Sequence, residues 1–471
     1  MAAPMVRRVL WTGLAAAWLF GTAIARGEEP APAARPMTLD EALDLALRQS
    51  DLVRAARAGT EALEAQLDQA EALAWPHLRL EGLLAPTPGQ RGNALKGRTD
   101  YDDWGVFLRG ELTGYVPLFG FGKIRHLKRA ATLGVEVGRH REAIARAEVR
   151  YRVLRAWHAL GLARELREVL DEGRGYFEQA RKHVEALKRE DDPSFDPVDE
   201  MKIRVYDVQV RSRELEAARG LALAEATLRE VLGLAPGEPV TADPGPPTLE
   251  TPVREVTLEE TMAFALENRP ELVALRSGIE ARKAETEARK RNLFPDFVLV
   301  GRLSGAYTSV ADNQPTPFAD DPWNGWGAGA GLGLRWDIEI GRRLGEWREA
   351  RAGLARLEAE GRDAERGIRL EVERCFREMQ DARQLAEAQQ AALKAARGWV
   401  VSKLDLYENG MATLRDVMEG LVQFFQTRLD LVKATYDWNV SVAALERASG
   451  LRLFPVGPGA IPADAPARPA K

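Results

Sequence analysis

The chain is written twice. Thr38-Leu39-Asp40-Glu41 opens one copy and Thr257-Leu258-Glu259-Glu260 opens the other. An offset of 219 residues aligns them without a gap through Gly82 and Gly301, with about a third of positions identical. Ala46/Ala265, Leu47/Leu266, Arg57/Arg276, Gly59/Gly278 and Pro76/Pro295 are among the matches. Both openings have the form of a capping box, in which Thr takes a backbone N–H and the Glu three residues on reaches back. The copies also end alike. Asp199 stands 34 residues before Gly233 and Asp416 stands 34 before Gly450, so the tails align at an offset of 217. We therefore expect two pseudo-symmetric repeats, 38–233 and 257–450. A Pro-rich connector, 234–256, joins them, and a Pro/Ala tail, 455–471, is expected to be disordered.

Each copy predicts helix, strand, strand, helix, helix. The first helix runs from Leu39 to Ala74 and stops at Pro76; its counterpart runs from Leu258 to Leu293 and stops at Pro295. After each proline the apolar period changes to two. Leu78, Leu80 and Leu84 oppose His77, Arg79 and Glu81. Val106, Leu108 and Leu112 oppose Arg109, Glu111 and Thr113. Phe297, Leu299 and Leu303 oppose Arg302 and Ser304. Ala328, Ala330, Leu332, Leu334 and Trp336 oppose glycines, Arg335 and Asp337. Four strands of about nine to twelve residues with one apolar and one polar face suit a membrane barrel with a wet lumen. A half-buried soluble sheet fits the alternation as well. Trp104, Tyr115, Phe119, Trp323, Trp326 and Trp336, near the strand ends, suit interfacial girdles. Pro86–Trp104 and Thr308–Trp323 are expected as long loops. Without a gap, the second and fourth strands are one residue out of phase, so a bulge or an indel must intervene.

No proline interrupts the chain from Pro117 to Pro193, or from Pro322 to Pro455. Helices of roughly 65 residues would run about 100 Å at 1.5 Å per residue. In the last helix, Leu414, Val417, Leu421, Phe424, Arg428, Leu431, Thr435, Trp438, Val442 and Leu445 follow heptad spacing. Val422, Phe425, Leu429, Val432 and Tyr436 trace a second stripe shifted by one residue. Two stripes serve a neighbour on either side, as in a tube; a bundle helix with one broad core face is the competing reading. Four strands cannot close a useful pore, because barrels need about eight. A lipid-embedded sheet here therefore demands a symmetric homo-oligomer.

Arg7 and Arg8, the apolar run from Val9 to Ile24 and the small residues Ala23-Ile24-Ala25 form a signal peptide over 1–25. No later stretch has about twenty consecutive apolar residues, so a membrane span must be a barrel. Net charge is −5 in 471 residues, which argues against a nucleic-acid partner. The lone Cys375 permits no intramolecular disulfide, and the five histidines lack metal-site spacing. No P-loop or nucleophile elbow occurs. We expect no catalytic residue, no cofactor and no metal: a non-enzyme.

The Thr-Leu openings, the proline before each first strand, Val116-Pro117-Leu118-Phe119-Gly120-Phe121-Gly122-Lys123 and the closing Tyr436-Asp437-Trp438-Asn439 through Ala448-Ser449-Gly450 together resemble the TolC-type outer-membrane efflux proteins. The likeness covers nearly the whole mature chain. It implies a mainly helical fold with long coiled-coil helices forming an α-barrel, and four strands per protomer in a shared trimeric twelve-stranded β-barrel. It implies a passive channel of a tripartite efflux pump or type I secretion system in outer-membrane lipid, with a large periplasmic portion. Its partners would be two further copies, a periplasmic adaptor and an inner-membrane pump or ATPase. By the same resemblance, Tyr407, Gly410, Asp416 and Glu419 fall on the second copy's periplasmic tip motif, and Asp199 on the first's. Threefold repetition would crowd these carboxylates and favour cations; alternatively, Asp199 and Asp416 cap the helices that follow. Ala412 stands where a gate-linking arginine can stand, so a salt-bridge latch is not expected. A periplasmic adaptor or a coiled-coil structural protein is the alternative. An adaptor would carry one hairpin between β-rich halves rather than two equivalent helical halves. A purely structural coiled coil would leave the strands unexplained.

Overall fold

The computed structural model describes residues 36–93, 96–191, 195–249, 253–314 and 321–454. The expected signal peptide and Pro/Ala tail lie outside the described residues. The elements come in one order, twice. The first series is α1 (Leu39–Gln49), α2 (Asp51–Ala72), β1 (His77–Asn93), β2 (Lys96–Phe119), α3 (Lys123–Arg189) and α4 (Pro197–Val231). The second is α5 (Leu258–Asn268), α6 (Pro270–Arg291), β3 (Asp296–Thr308), β4 (Gly325–Arg335), α7 (Ile340–Glu408) and α8 (Leu414–Ser449).

Both capping boxes form: Glu41 and Glu260 each accept from the backbone of the Thr three residues back, and each Thr hydroxyl accepts in return. The helices they open are shorter than expected. Each breaks after three turns, at Ser50 and at Arg269, both in extended conformation. Ser50 ends α1 and caps α2 by accepting from the Val53 N–H. Arg269 precedes Pro270, whose ring disfavours helical geometry in the residue before it. Buried Arg269 then ties the break to other helices, donating to the Ala448 carbonyl at 2.9 Å and pairing with Glu371 at 2.8 Å.

The strands form one antiparallel sheet in the order β1-β2-β3-β4. Most of the stretch expected as a loop over Pro86–Trp104 is strand, so β1 and β2 run 17 and 24 residues. Pro86 and Pro88 are tolerated because β1 is an edge strand and both residues, two apart, turn the same side to the open edge. The phase difference between the second and fourth strands is also explained. Gly82 pairs with Gly110, whereas its repeat counterpart Gly301 pairs with Ala330, so the second hairpin is one residue longer.

The helices pack side by side. One row runs α4, α3, α8, α7; the other runs α2, α3, α6, α7. The 67-residue α3 and the 69-residue α7 belong to both rows. One buried cluster gathers Ala42, Leu43, Val153, Trp157, Leu160 and Leu228 from α1, α3 and α4, with Leu232 just past the end of α4. Another gathers Leu272, Val372, Phe376, Trp438, Val442 and Leu445 from α6, α7 and α8. As the double stripe in α8 implies, this helix has two lateral partners. Gly420 abuts Val400 of α7, while Phe425 lies on Gly173 of α3 with its ring 5.8 Å from Tyr176.

Candidate functional site

The sheet and the helix ends carry the candidate chemistry. Across the sheet, register puts like with like. Leu80, Leu112, Leu303 and Ala328 share a row, as do Leu84, Leu108 and Tyr307, and Phe119, Phe297 and Leu334. These rows form one apolar face with almost nothing on it: Leu80 is 77% exposed, Leu332 82% and Trp326 83%. A water-soluble sheet would bury such a face, since large contiguous apolar patches are rare on soluble surfaces. The opposite face carries Arg79, Glu81, Arg109, Glu111 and Arg302, with ion pairs from Glu111 to Arg302 at 3.0 Å and to Arg109 at 3.1 Å. Among the described residues no helix is long and apolar enough to cross a membrane.

At their far ends, α3/α4 and α7/α8 are hairpins. In the second, Gly410 adopts φ +71°. Its N–H donates to the Tyr407 carbonyl (3.0 Å) and that of Met411 to the Leu406 carbonyl (2.8 Å), the two bonds of a Schellman ending. Asp416 closes the turn. It accepts from the Thr413 N–H (3.0 Å) and hydroxyl (2.8 Å), and lies 3.6 Å from the Lys403 ammonium. Those Thr413 bonds, backbone first, and the nearby lysine hold its carboxyl below the usual aspartate range. Glu419 is exposed one turn on. In the first hairpin the helix cap is Asp196, accepting from the Val198 N–H at 2.8 Å. Asp199 stands in the first turn of α4 and pairs with Lys202 at 3.2 Å. Asp416 thus completes the capping box of α8 with Thr413, whereas α4 is capped by Asp196.

The structure brings Tyr407 together with a residue that the sequence did not single out. The Tyr407 hydroxyl and His183 Nε2 lie 2.9 Å apart, joining α7 to α3 across 224 residues of chain. Burial, and then the charge of Asp199, push the Tyr407 phenol upward, so it keeps its proton at neutral pH. Asp199, Tyr407 and His183 are one neighbourhood; Gly410, Asp416 and Glu419 belong to the turn beside it. His183 is one of four scattered histidines in α3 and carries no spacing signal.

Residues 263–451 match the family model described as outer membrane efflux protein. Over that segment the chain is similar to this TolC-type family. No curated protein shows significant sequence similarity to it. Its fold is shared by solved outer-membrane proteins. The structure of CusC superposes with a TM-score of 0.71 at 18% identity, covering 87% of this chain and 91% of that one. The outer membrane protein VceC of Vibrio cholerae gives 0.68 at 18%, covering 88% and 96%. The open-state MtrE outer membrane channel of Neisseria gonorrhoeae gives 0.68 at 15%, covering 88% of each. The match over that segment and the shared fold are what an outer-membrane efflux channel with a large helical portion presents.

Proposed function

We propose that three copies close around one axis into an exit duct spanning the outer membrane and periplasm, and that a periplasmic adaptor and an inner-membrane pump or type I secretion ATPase deliver cargo to it. The observation that carries this reading is that both layers of the protomer stop at open lateral edges. The sheet ends in β1 and β4, whose outer edges pair with no other strand among the described residues, and β1 is met only at its far tip, where Gln90 bridges to Ala311. The helix row ends in α4, whose exposed Met201, Val205, Val208 and Leu215 form an unpartnered stripe, and in α7, with exposed Leu370, Leu385 and Leu404. Rotational closure joins each edge to its opposite. The prolines of β1 agree with this. Counted across the sheet, Gly325 at the start of β4 is level with Leu83, just short of Pro86, so β1 offers free N–H groups only where a β4 could reach.

At the tips, Asp199, Asp416 and Glu419 repeated threefold would form a carboxylate ring that favours cations, with the Tyr407–His183 bond holding the hairpins together. Purified protein in a planar bilayer tests the duct. Heat-labile trimers with cation-preferring conductance support it, and a monodisperse monomer without conductance rejects it. In the Asp199→Ala/Asp416→Ala double variant, Lys202 and Lys403 lose their counter-charges. We expect a weaker cation preference or a higher conductance. If neither changes, these carboxylates have only local structural roles.

A further inference from the structure

The polar face of the sheet carries more guanidinium than carboxylate. Arg79, Thr113, Arg302 and Gly329 share one row; Glu81, Glu111, Ser304 and Gly327 the next; Leu83, Arg109, Ala306 and Gly325 the one beyond. Glu111 already serves two cations, Arg302 and Arg109. Among the described residues Arg79 pairs only with Glu81, its neighbour on β1, at 3.7 Å. Three guanidiniums thus divide two carboxylates, and their side chains stay open, Arg79 at 77% and Arg302 at 58%. β4 does nothing to cover them. Its residues on this face are five glycines, Gly325, Gly327, Gly329, Gly331 and Gly333, followed by Arg335 at the end of the strand beside Asp296, and a Cβ at Gly329 or Gly331 would meet nothing within 4 Å.

In a threefold barrel β4 abuts β1 of the next copy, so this bare strip of wall lies between Arg302 of one protomer and the Arg79 column of its neighbour. Each protomer contributes one guanidinium in excess. Arginine forks match the paired oxygens of carboxylates and phosphates, and a narrow lumen keeps those charges within roughly a Debye length of about 10 Å of anything passing.

We propose that this arginine belt is an oxyanion-binding zone of the barrel lumen, with Arg79 and Arg302 setting its preference for cargo that bears carboxylate or phosphate groups. The proposal rests on the exit-duct reading. The two ends of the duct then carry opposite signs. Carboxylates at the tips admit cations, while arginines in the barrel retain the anionic groups of zwitterionic or anionic cargo.

The test is block of single-channel current by tripolyphosphate, and in a separate arm by citrate, added on the side of the β1/β2 hairpin tip. The wild-type duct should be blocked by both. Arg79→Gln/Arg302→Gln should weaken block about tenfold or more, as expected for loss of charge-assisted bonds. Glu81→Gln, which frees Arg79, should strengthen it, and this provides a readout if the double variant fails to assemble. A conducting wild-type channel that neither anion blocks, or block unchanged in these variants, overturns the arginine belt and leaves the duct intact. Absence of conductance in the wild type instead overturns the duct reading.

Discussion

At the residue scale, the informative side chains are those held against their solution preference. His158 sits half-buried in α3, with its ring 6.0 Å from that of Phe454 and its buried Nε2 without a hydrogen-bond partner among the described residues. Burial lowers its pKa to about 4. The folded state therefore refuses a proton that the unfolded chain accepts at its ordinary value of about 6.5. Stability is unaffected by this group above that value and falls as pH drops from 6.5 towards 4, by up to about 3 kcal/mol per protomer. We expect His158→Leu to flatten this part of the melting-temperature profile between pH 7 and 4; an unchanged slope would assign the acid sensitivity to other groups. Tyr407→Phe removes the hydroxyl that bonds His183 and keeps the ring. A bond of this kind is worth about 1 kcal/mol. The variant should open more often in bilayer recordings with no loss of trimer, and His183→Ala should reproduce the effect.

At the element scale, period and proline spacing decided most of the architecture. Long proline-free runs foretold α3 and α7, the double heptad foretold that α8 lies between two helices, and alternation foretold four two-faced strands. What escaped was set by context. Pro86, Pro88 and the turn-forming residues between them and Trp104 argue for a loop, yet an edge strand needs no N–H on its open side, so β1 and β2 continue through them. The breaks at Ser50 and Arg269 sit inside unbroken apolar periodicity. Only Pro270 announced one of them, and the capping serine announced the other. The tip turn was legible as a motif, whereas His183 was not, because a contact over 224 residues leaves no local trace. The packing of α8 on α3 makes a prediction of its own. Gly173 leaves room for Phe425, with Cδ1 3.5 Å from where a Cβ would stand. Gly173→Leu would drive that ring away, and overpacking of this kind costs about 1–3 kcal/mol. A lowered melting temperature with normal helix content by circular dichroism is the expected result.

At the scale of the whole molecule, the protomer is incomplete in a specific way. Its sheet presents leucines and tryptophans outward and arginines and glutamates on the other face, which is the reverse of what a lone protein in water would choose. The contradiction disappears when the apolar face meets lipid and the polar face encloses water. That arrangement requires more strands than one chain owns. Assembly and membrane insertion are then linked, because both satisfy the same open edges. The helical edge allows the two to be separated. Val205 and Val208 are exposed on the stripe of α4 that faces no helix of its own chain. Val205→Glu/Val208→Glu leaves the α3 contact untouched, since the buried residue of this segment is Ile203. In the assembled duct the same substitution would bury two carboxylates without partners against α7 of the next copy, at a cost of several kcal/mol per interface. Circular dichroism should therefore remain helical while the heat-labile trimer disappears from gels and conductance is lost. Retention of the trimer would show that α4 is not the joining edge, and the order of helices around the axis would have to be redrawn.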